Sequence, residues 1–350
     1  MSASPRRTGA DGYSSSRALT GPGDAAHTDV LALEVCHLFF DDQVPKKDIA
    51  QRLAISRFRV ARLLEQARAS GLVRIEYRER DLIDRDLSKL LSELYKLRLC
   101  VVVNAGARTD REIRGSVGAA AASLVAELIG PGDVVGLGWG RSLAAMVESL
   151  PGEAKPDVDV VQLAGGSART AFGIDPSELA RRFAHRLGGR LHVIHAPAFV
   201  RTREIRDALL READVAGTVA LFDRITLAVL GVGSLTIPGD EEPASTLSIA
   251  GALPADELKN IVAEGAVGEL MLHPFDGEGR FVTDPIGDRR VAISTDQLMR
   301  TPRVLAVACG VAKGPAIQGA LRSGVASMLV TDDAAARWLL ANAPGVTRKG

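Results

Sequence analysis

Beyond Leu99 the chain alternates short, uninterrupted apolar runs with stretches of helical period, and this alternation limits the fold more than any other feature. The runs cover residues 101–103, 134–137, 158–163, 191–194, 227–232, 304–308 and 328–330; helical patterns at 113–129, 177–187 and 315–323 lie between them. Strands that are apolar throughout, rather than at every second residue, are buried on both faces. With helices between them they predict an α/β fold: a Rossmann-like, doubly wound, mostly parallel sheet. At 350 residues the chain has room for such a domain and a smaller one. No apolar run approaches the ~18 residues of a membrane span, so a cytoplasmic protein without membrane attachment is expected. Cys36, Cys100 and Cys309 are odd in number and far apart, which argues against a disulfide framework and against a structural metal.

The formal net charge is zero, but it is unevenly spread. Between Pro45 and Arg80 ten basic residues face four acidic ones, a local balance of +6 that suggests a polyanion-binding module on a body with another task. Residues 1–27 are rich in Ser, Gly, Ala and Pro and read as a disordered tail, as does 344–350. From Asp29, Val30, Leu33, Cys36, His37 and Phe40 recur at helical spacing and predict a first helix. Pro45 suits the start of a second, with Ile49, Ala50 and Leu53 inward. Ser56 is a good N-cap for a third, whose apolar side is Val60, Leu63, Leu64 and Ala67 and which Gly71 ends. The alternation over 72–77 predicts a strand, completing an N-terminal winged helix-turn-helix over 28–80. In such a module the second helix of the pair enters the major groove of double-stranded DNA. Lys46, Lys47, Ser56, Arg57, Phe58, Arg59 and Arg62 form the expected DNA-contacting set: arginine forks for guanine edges, lysines for phosphates. Over 81–98, Ile83, Leu87, Leu90, Leu94 and Leu97 form a short heptad-like seam, either a dimer helix or a helix laid on the next domain, which spans 99–343.

The run from Pro45 to Arg57 (PKKDIAQRLAISR), continued by VARLL and GLVRI, resembles the N-terminal module of the SorC/DeoR-type sugar-responsive transcriptional regulators. One departure is Phe58-Arg59, where relatives often carry small polar residues. In the large domain, GLGWGRSL (136–143), VVQLAGG (160–166), GAVGEL (265–270) and VLAVACGVAKGPAIQGALRSG (304–324) are similar to the family's further signatures, in the same order. The first follows a strand and opens a helix, so its glycines let amides approach a ligand at a helix N-terminus. Arg141 stands where a dinucleotide fingerprint needs glycine, which disfavours NAD; no cofactor is expected. The resemblance implies a sugar, polyol or sugar-phosphate effector held by Gly138, Trp139, Gly140, Arg141, Ser142, Gln162, Gly165, Gly166 and Glu269, with Lys313 at a phosphate-facing edge. It implies an operator-binding repressor of a carbohydrate or polyol catabolic operon, acting as a homodimer or homotetramer. The alternative is a sugar-phosphate isomerase- or deaminase-like enzyme with an appended DNA-binding module, using Glu269, Asp284 and Asp288 as acid and base. No HExxH, GxSxG or P-loop pattern supports it, and His192 and His195 lie on opposite faces of a strand pattern. A catalytic set is therefore not expected.

Overall fold

The structure, a computed structural model, describes residues 30–73, 82–106, 108–152, 154–155, 157–166, 175–235, 247, 255–282 and 286–343. The chain divides into two compact units, on either side of positions 78 and 79.

In the small unit, residues 30–41 form helix α1, whose last turn, His37–Asp41, widens to a π-turn. Helices α2 (Lys46–Arg52) and α3 (Arg57–Ala69) follow. The three share a core of Ala32, Val35, Cys36, Leu38, Ile49, Ala50, Val60, Leu63, Leu64 and Ala67. The inward stripe of α1 differs from the expected one: Val30, Leu33 and His37 face solvent, and Ala32, Val35 and Leu38 point inward. Residues 30–40 are apolar almost all round, so period alone does not set the helix phase; packing on α2 and α3 does. Ser56 caps α3 as expected, its Oγ accepting from the Arg59 amide (3.1 Å). The expected strand at 72–77 falls mostly on residues outside the described ones, as do both tails.

In the large unit, α4 (Arg85–Tyr95) leads into β1 (Leu99–Val103), α5 (Asp110–Leu128), β2 (Val134–Leu137), α6 (Arg141–Ser149), β3 (Asp159–Gln162), α7 (Pro176–Leu187) and β4 (Arg190–His192). Then come α8 (Arg203–Leu209), α9 (Ala213–Val219), β5 (Leu227–Gly231), β6 (Gly233–Ser234), α10 (Ala255–Ala263), β7 (Ala266–Leu270) and β8 (His273–Asp276). The last elements are α11 (Thr295–Arg300), β9 (Val304–Val307), α12 (Gly314–Arg322), β10 (Met328–Asp332) and α13 (Asp333–Ala341). Seven strands form one parallel sheet in the order β1-β10-β9-β5-β2-β3-β4. All seven apolar runs of the sequence are strands of this sheet. From β2 the chain winds outward through β3 and β4, then returns to β5 on the other side of β2, so the order reverses between β2 and β5. In open α/β sheets ligands collect outside the strand carboxyl ends at such a switch point.

Residues 82–84 run antiparallel along the outer edge of β1, the Asp84 amide donating to the Val102 carbonyl (2.8 Å) and the Asn104 amide to that of Leu82 (2.8 Å). This covers what would be an open edge. The heptad-like seam of α4 is not what packs: Leu87 and Leu97 are buried together with Leu91, but Leu90 and Leu94 are 49% and 37% exposed. Asp84 caps the helix, its carboxylate accepting from Leu87 N, and Ser88 Oγ accepts from Val102 N (2.9 Å). These two bonds rotate the Leu87–Ser88–Leu91 face onto β1, which is the second of the two readings of this helix.

Strands β6, β7 and β8 form a small antiparallel sheet that the sequence does not announce. Its β7–β8 hairpin turns on Met271 (φ 46°) and Leu272 (φ 70°), a left-handed pair usually built from Asn and Gly.

Candidate functional site

Three neighbouring strands, β9, β5 and β2, end at the switch point, and each contributes a loop there. After β2, the Gly138 amide donates to the Val229 carbonyl (2.9 Å), tying the glycine loop to β5. Gly140, at φ 135°, makes a turn into α6 that a side chain would resist. The helix therefore begins at Arg141 with its amides and positive dipole end at the strand termini. Ser142 on that first turn is 7% exposed. Trp139 is 8% exposed and joins the core, so its indole packs the loop down.

After β9 the loop 308–313 crosses toward β5, and Lys313 Nζ donates to the Val232 carbonyl (2.7 Å). Asp332, fully buried at the end of β10, holds this loop by accepting from Gly310 N (2.6 Å), and caps α13 by accepting from Ala335 N (3.2 Å). Burial brings the Lys313 ammonium down to about 8; Cys309 and Glu269 favour its charge, while Arg141 and Arg114 disfavour it. The Cys309 thiol is pushed up by burial and is hydrogen-bonded with Ser142. One cluster therefore holds a lysine that loses its proton around pH 8, two arginines, a serine hydroxyl, a thiol and the N-terminus of α6. Such a set can take up an anionic or hydroxyl-rich group.

Of the expected site residues, Gly138 to Ser142 and Lys313 come together here, with Glu269 within electrostatic reach. Glu269 is 3% exposed and accepts the Leu272 amide (2.8 Å), so one of its oxygens holds the β7–β8 turn. Gln162, 1% exposed, turns its amide into the protein: Nε2 donates to the Ala164 carbonyl (2.7 Å) and Oε1 accepts from Ser177 Oγ (3.3 Å). A side chain at Gly165 would run into the Ala196 carbonyl, and the Gly166 amide donates to that same oxygen (2.8 Å). Gly165 lets the chain after β3 lie against 196–198. Cys309 and Arg114 are the cluster members that sequence reasoning missed. Cys309 lies inside a quoted signature but read as one apolar residue among many. Arg114, on a charged helical turn, gave no signal.

Of the groups named for acid–base chemistry, Glu269 holds the β7–β8 turn. Asp288 faces Arg203 and Arg206 (both 3.8 Å), and Asp284 lies outside the described residues. His273 is buried and held neutral, brought down to about 3 by burial and the neighbouring Arg290, with its Nε2 against the Ile293 carbonyl (2.7 Å). Among the described residues no group of three His, Cys, Asp or Glu could hold a metal, and no helix is long and apolar enough to cross a membrane.

In the small unit Ser56, Arg57, Phe58, Arg59 and Arg62 are all exposed along α3. Lys47 is exposed at the start of α2, and Lys46 Nζ sits 5.3 Å from the centroid of the Phe39 ring. A capped helix with an outward row of cations is the form a major-groove helix takes.

Residues 82–341 match the family described as "Putative sugar-binding domain". Over 320 residues the chain is 29% identical to the erythritol catabolism regulatory protein EryD of Brucella abortus, covering 91% of this chain and 98% of that protein. It is 28% identical to the transcriptional regulator LsrR of an Enterobacter species, covering 91% and 95%. The full-length sorbitol operon regulator SorC of Klebsiella pneumoniae superposes with a TM-score of 0.69 at 25% identity, over 89% of this chain and 98% of that one. These relatives are transcriptional regulators, not enzymes. With its parallel sheet, its N-terminal helical unit and a family match over most of its length, the chain belongs to the sugar-binding-domain family of SorC/DeoR-type transcriptional regulators.

Proposed function

We propose that this chain represses a carbohydrate or polyol catabolic operon in the cytoplasm, binding operator DNA through α2 and α3. A sugar, polyol or sugar phosphate at the carboxyl ends of β2, β5 and β9 controls that binding. The observation that carries this reading is the cluster of Arg141, Ser142 and Lys313 at the switch point of the sheet, in a chain that also presents a cationic helix. In this reading residues 28–80 are the DNA-binding domain, 81–98 the connecting helix and 99–343 the sensing and assembly domain. Gly138 seats the loop on β5, Gly140, Arg141 and Ser142 offer backbone amides and a hydroxyl, Lys313 a cation, and Gln162, Gly165, Gly166 and Glu269 shape the walls. Two half-sites a whole number of helical turns apart need at least a homodimer. The effector acts by favouring one arrangement of subunits, and it can shift that equilibrium only by its differential affinity for the two.

The test is thermal unfolding of the full chain against a panel of sugars, polyols and their phosphates. A ligand at 100 times its dissociation constant adds about 2.7 kcal/mol, an easily resolved shift. One class should stabilise the wild type and leave a Ser142→Ala/Lys313→Met variant unmoved. A flat panel, or equal stabilisation of the variant, contradicts the assignment of the site.

A further inference from the structure

Phe58 is the most exposed large apolar side chain among the described residues, at 81%, and it stands in the first turn of α3. The buried stripe of that helix is Val60, Leu63, Leu64 and Ala67. At ~100° per residue, Phe58 points roughly 170° away from the middle of the stripe, and Arg62, one turn on, roughly 150° away on the other side. Arg57 and Arg59 lie on the flanks, roughly 70–90° from the stripe. The pole of the outward face is therefore Phe58, then Arg62 and, two turns on, Glu65, with Arg57 and Arg59 flanking the first turn and Lys47 exposed on α2. An apolar ring standing free in water and ringed by cations suits a partner that is polyanionic at its rim and apolar at its centre. The major groove has that form, with phosphates along both walls and the thymine C5-methyl as its apolar feature.

Resting on the reading of α3 as the DNA-contacting helix, we infer that Phe58 reads a thymine methyl in each operator half-site. Arg62 then reaches the neighbouring base edge, while Arg57 and Arg59 anchor to the phosphate walls. Specificity at that base pair comes from apolar contact, so it responds to one methyl group and to no hydrogen-bonding atom.

The experiment starts by selecting the full chain's preferred duplex from a random-sequence pool, then replaces each thymine singly with deoxyuridine, which removes the methyl and keeps every hydrogen-bonding group. We expect one thymine per half-site to weaken wild-type binding about fourfold on replacement, the worth of burying one methyl-sized group. Phe58→Ala should bind the parent duplex at least fourfold more weakly and ignore that replacement. Phe58→Leu should keep part of the methyl preference. A wild type indifferent to every deoxyuridine, or a sensitivity that persists in Phe58→Ala, overturns the inference. So does a Phe58→Ala variant that changes self-association in sedimentation with DNA affinity intact, which would make the ring a contact between copies. If no duplex is enriched at all, the DNA-binding reading of α3 fails, and this inference fails with it.

Discussion

Lys313 donates to a backbone carbonyl, and burial has made its ammonium easy to deprotonate, so its charge is sensitive to pH in the range where a regulator works. An anionic effector favours the protonated form, and the free-state value is about 8. Affinity for a phosphorylated ligand should therefore be full below pH 7 to 8 and fall as pH rises past 8, by up to tenfold per unit. Above pH 7 the phosphate is already mostly dianionic, so that fall belongs to the protein. Isothermal titration from pH 7 to 9 checks this. Lys313→Met should bind more weakly and lose the slope; an unchanged slope would place the titrating group elsewhere. At the opposite end of the sheet, Asp159 shows the reverse sign. Hydrogen bonds from Arg190, then from His192, hold its carboxyl at about 2, below the usual 3.8. The stability it contributes is present above pH 4 and lost as pH falls from about 4 to 2. Asp159→Asn should flatten that part of the acid-unfolding curve and lower stability by a constant amount above pH 4, with no change of slope there.

Two elements show what a sequence can and cannot reveal. The N-cap of α3 was legible because Ser56 directly precedes an apolar stripe; Ser56→Ala should cost about 1 kcal/mol in melts that follow the small unit. The β7–β8 hairpin was not legible, because Met271 and Leu272 occupy left-handed positions without Gly or Asn to mark the turn. Burial of both side chains and the Glu269 carboxylate on the Leu272 amide hold that conformation, and neither is a local signal. Glu269→Ala should therefore lower the melting temperature more than an acidic residue's position in a strand suggests, because it leaves a buried amide unpaired. At α4 five positions fitted a heptad, but the packed face is Leu87, Ser88 and Leu91, fixed by hydrogen bonds that Asp84 accepts from Leu87 N and Ser88 from Val102 N. The contact of α5 with α6 depends on Gly118, where a methyl group would come within 2.7 Å of Ala145. Gly118→Ala should cost about 1–3 kcal/mol of overpacking, read by denaturant unfolding, and a neutral result would mean the helices can part.

At the scale of the whole chain, the sheet was the most legible feature, because strands buried on both faces carry their own apolar signature. The site was legible where a loop carried glycines and a helix start, as at Gly138 to Ser142. It was not legible at Cys309, which joins the cluster because β9 lies beside β5, or at Arg114, which the packing of α5 on α6 brings to the same end of the sheet. That order also makes the proposed sensing role intelligible: a ligand at the switch point would touch loops from three strands on both sides of the reversal. The central claim is that occupancy of this site changes the chain's hold on DNA. The most direct test measures the affinity of the full chain for its selected duplex, with and without the compound that stabilises it most in thermal unfolding. The account predicts a change of at least tenfold that disappears in Ser142→Ala/Lys313→Met, while that variant binds DNA as the wild type does without ligand. Equal affinity with and without a compound that demonstrably binds the site would contradict it.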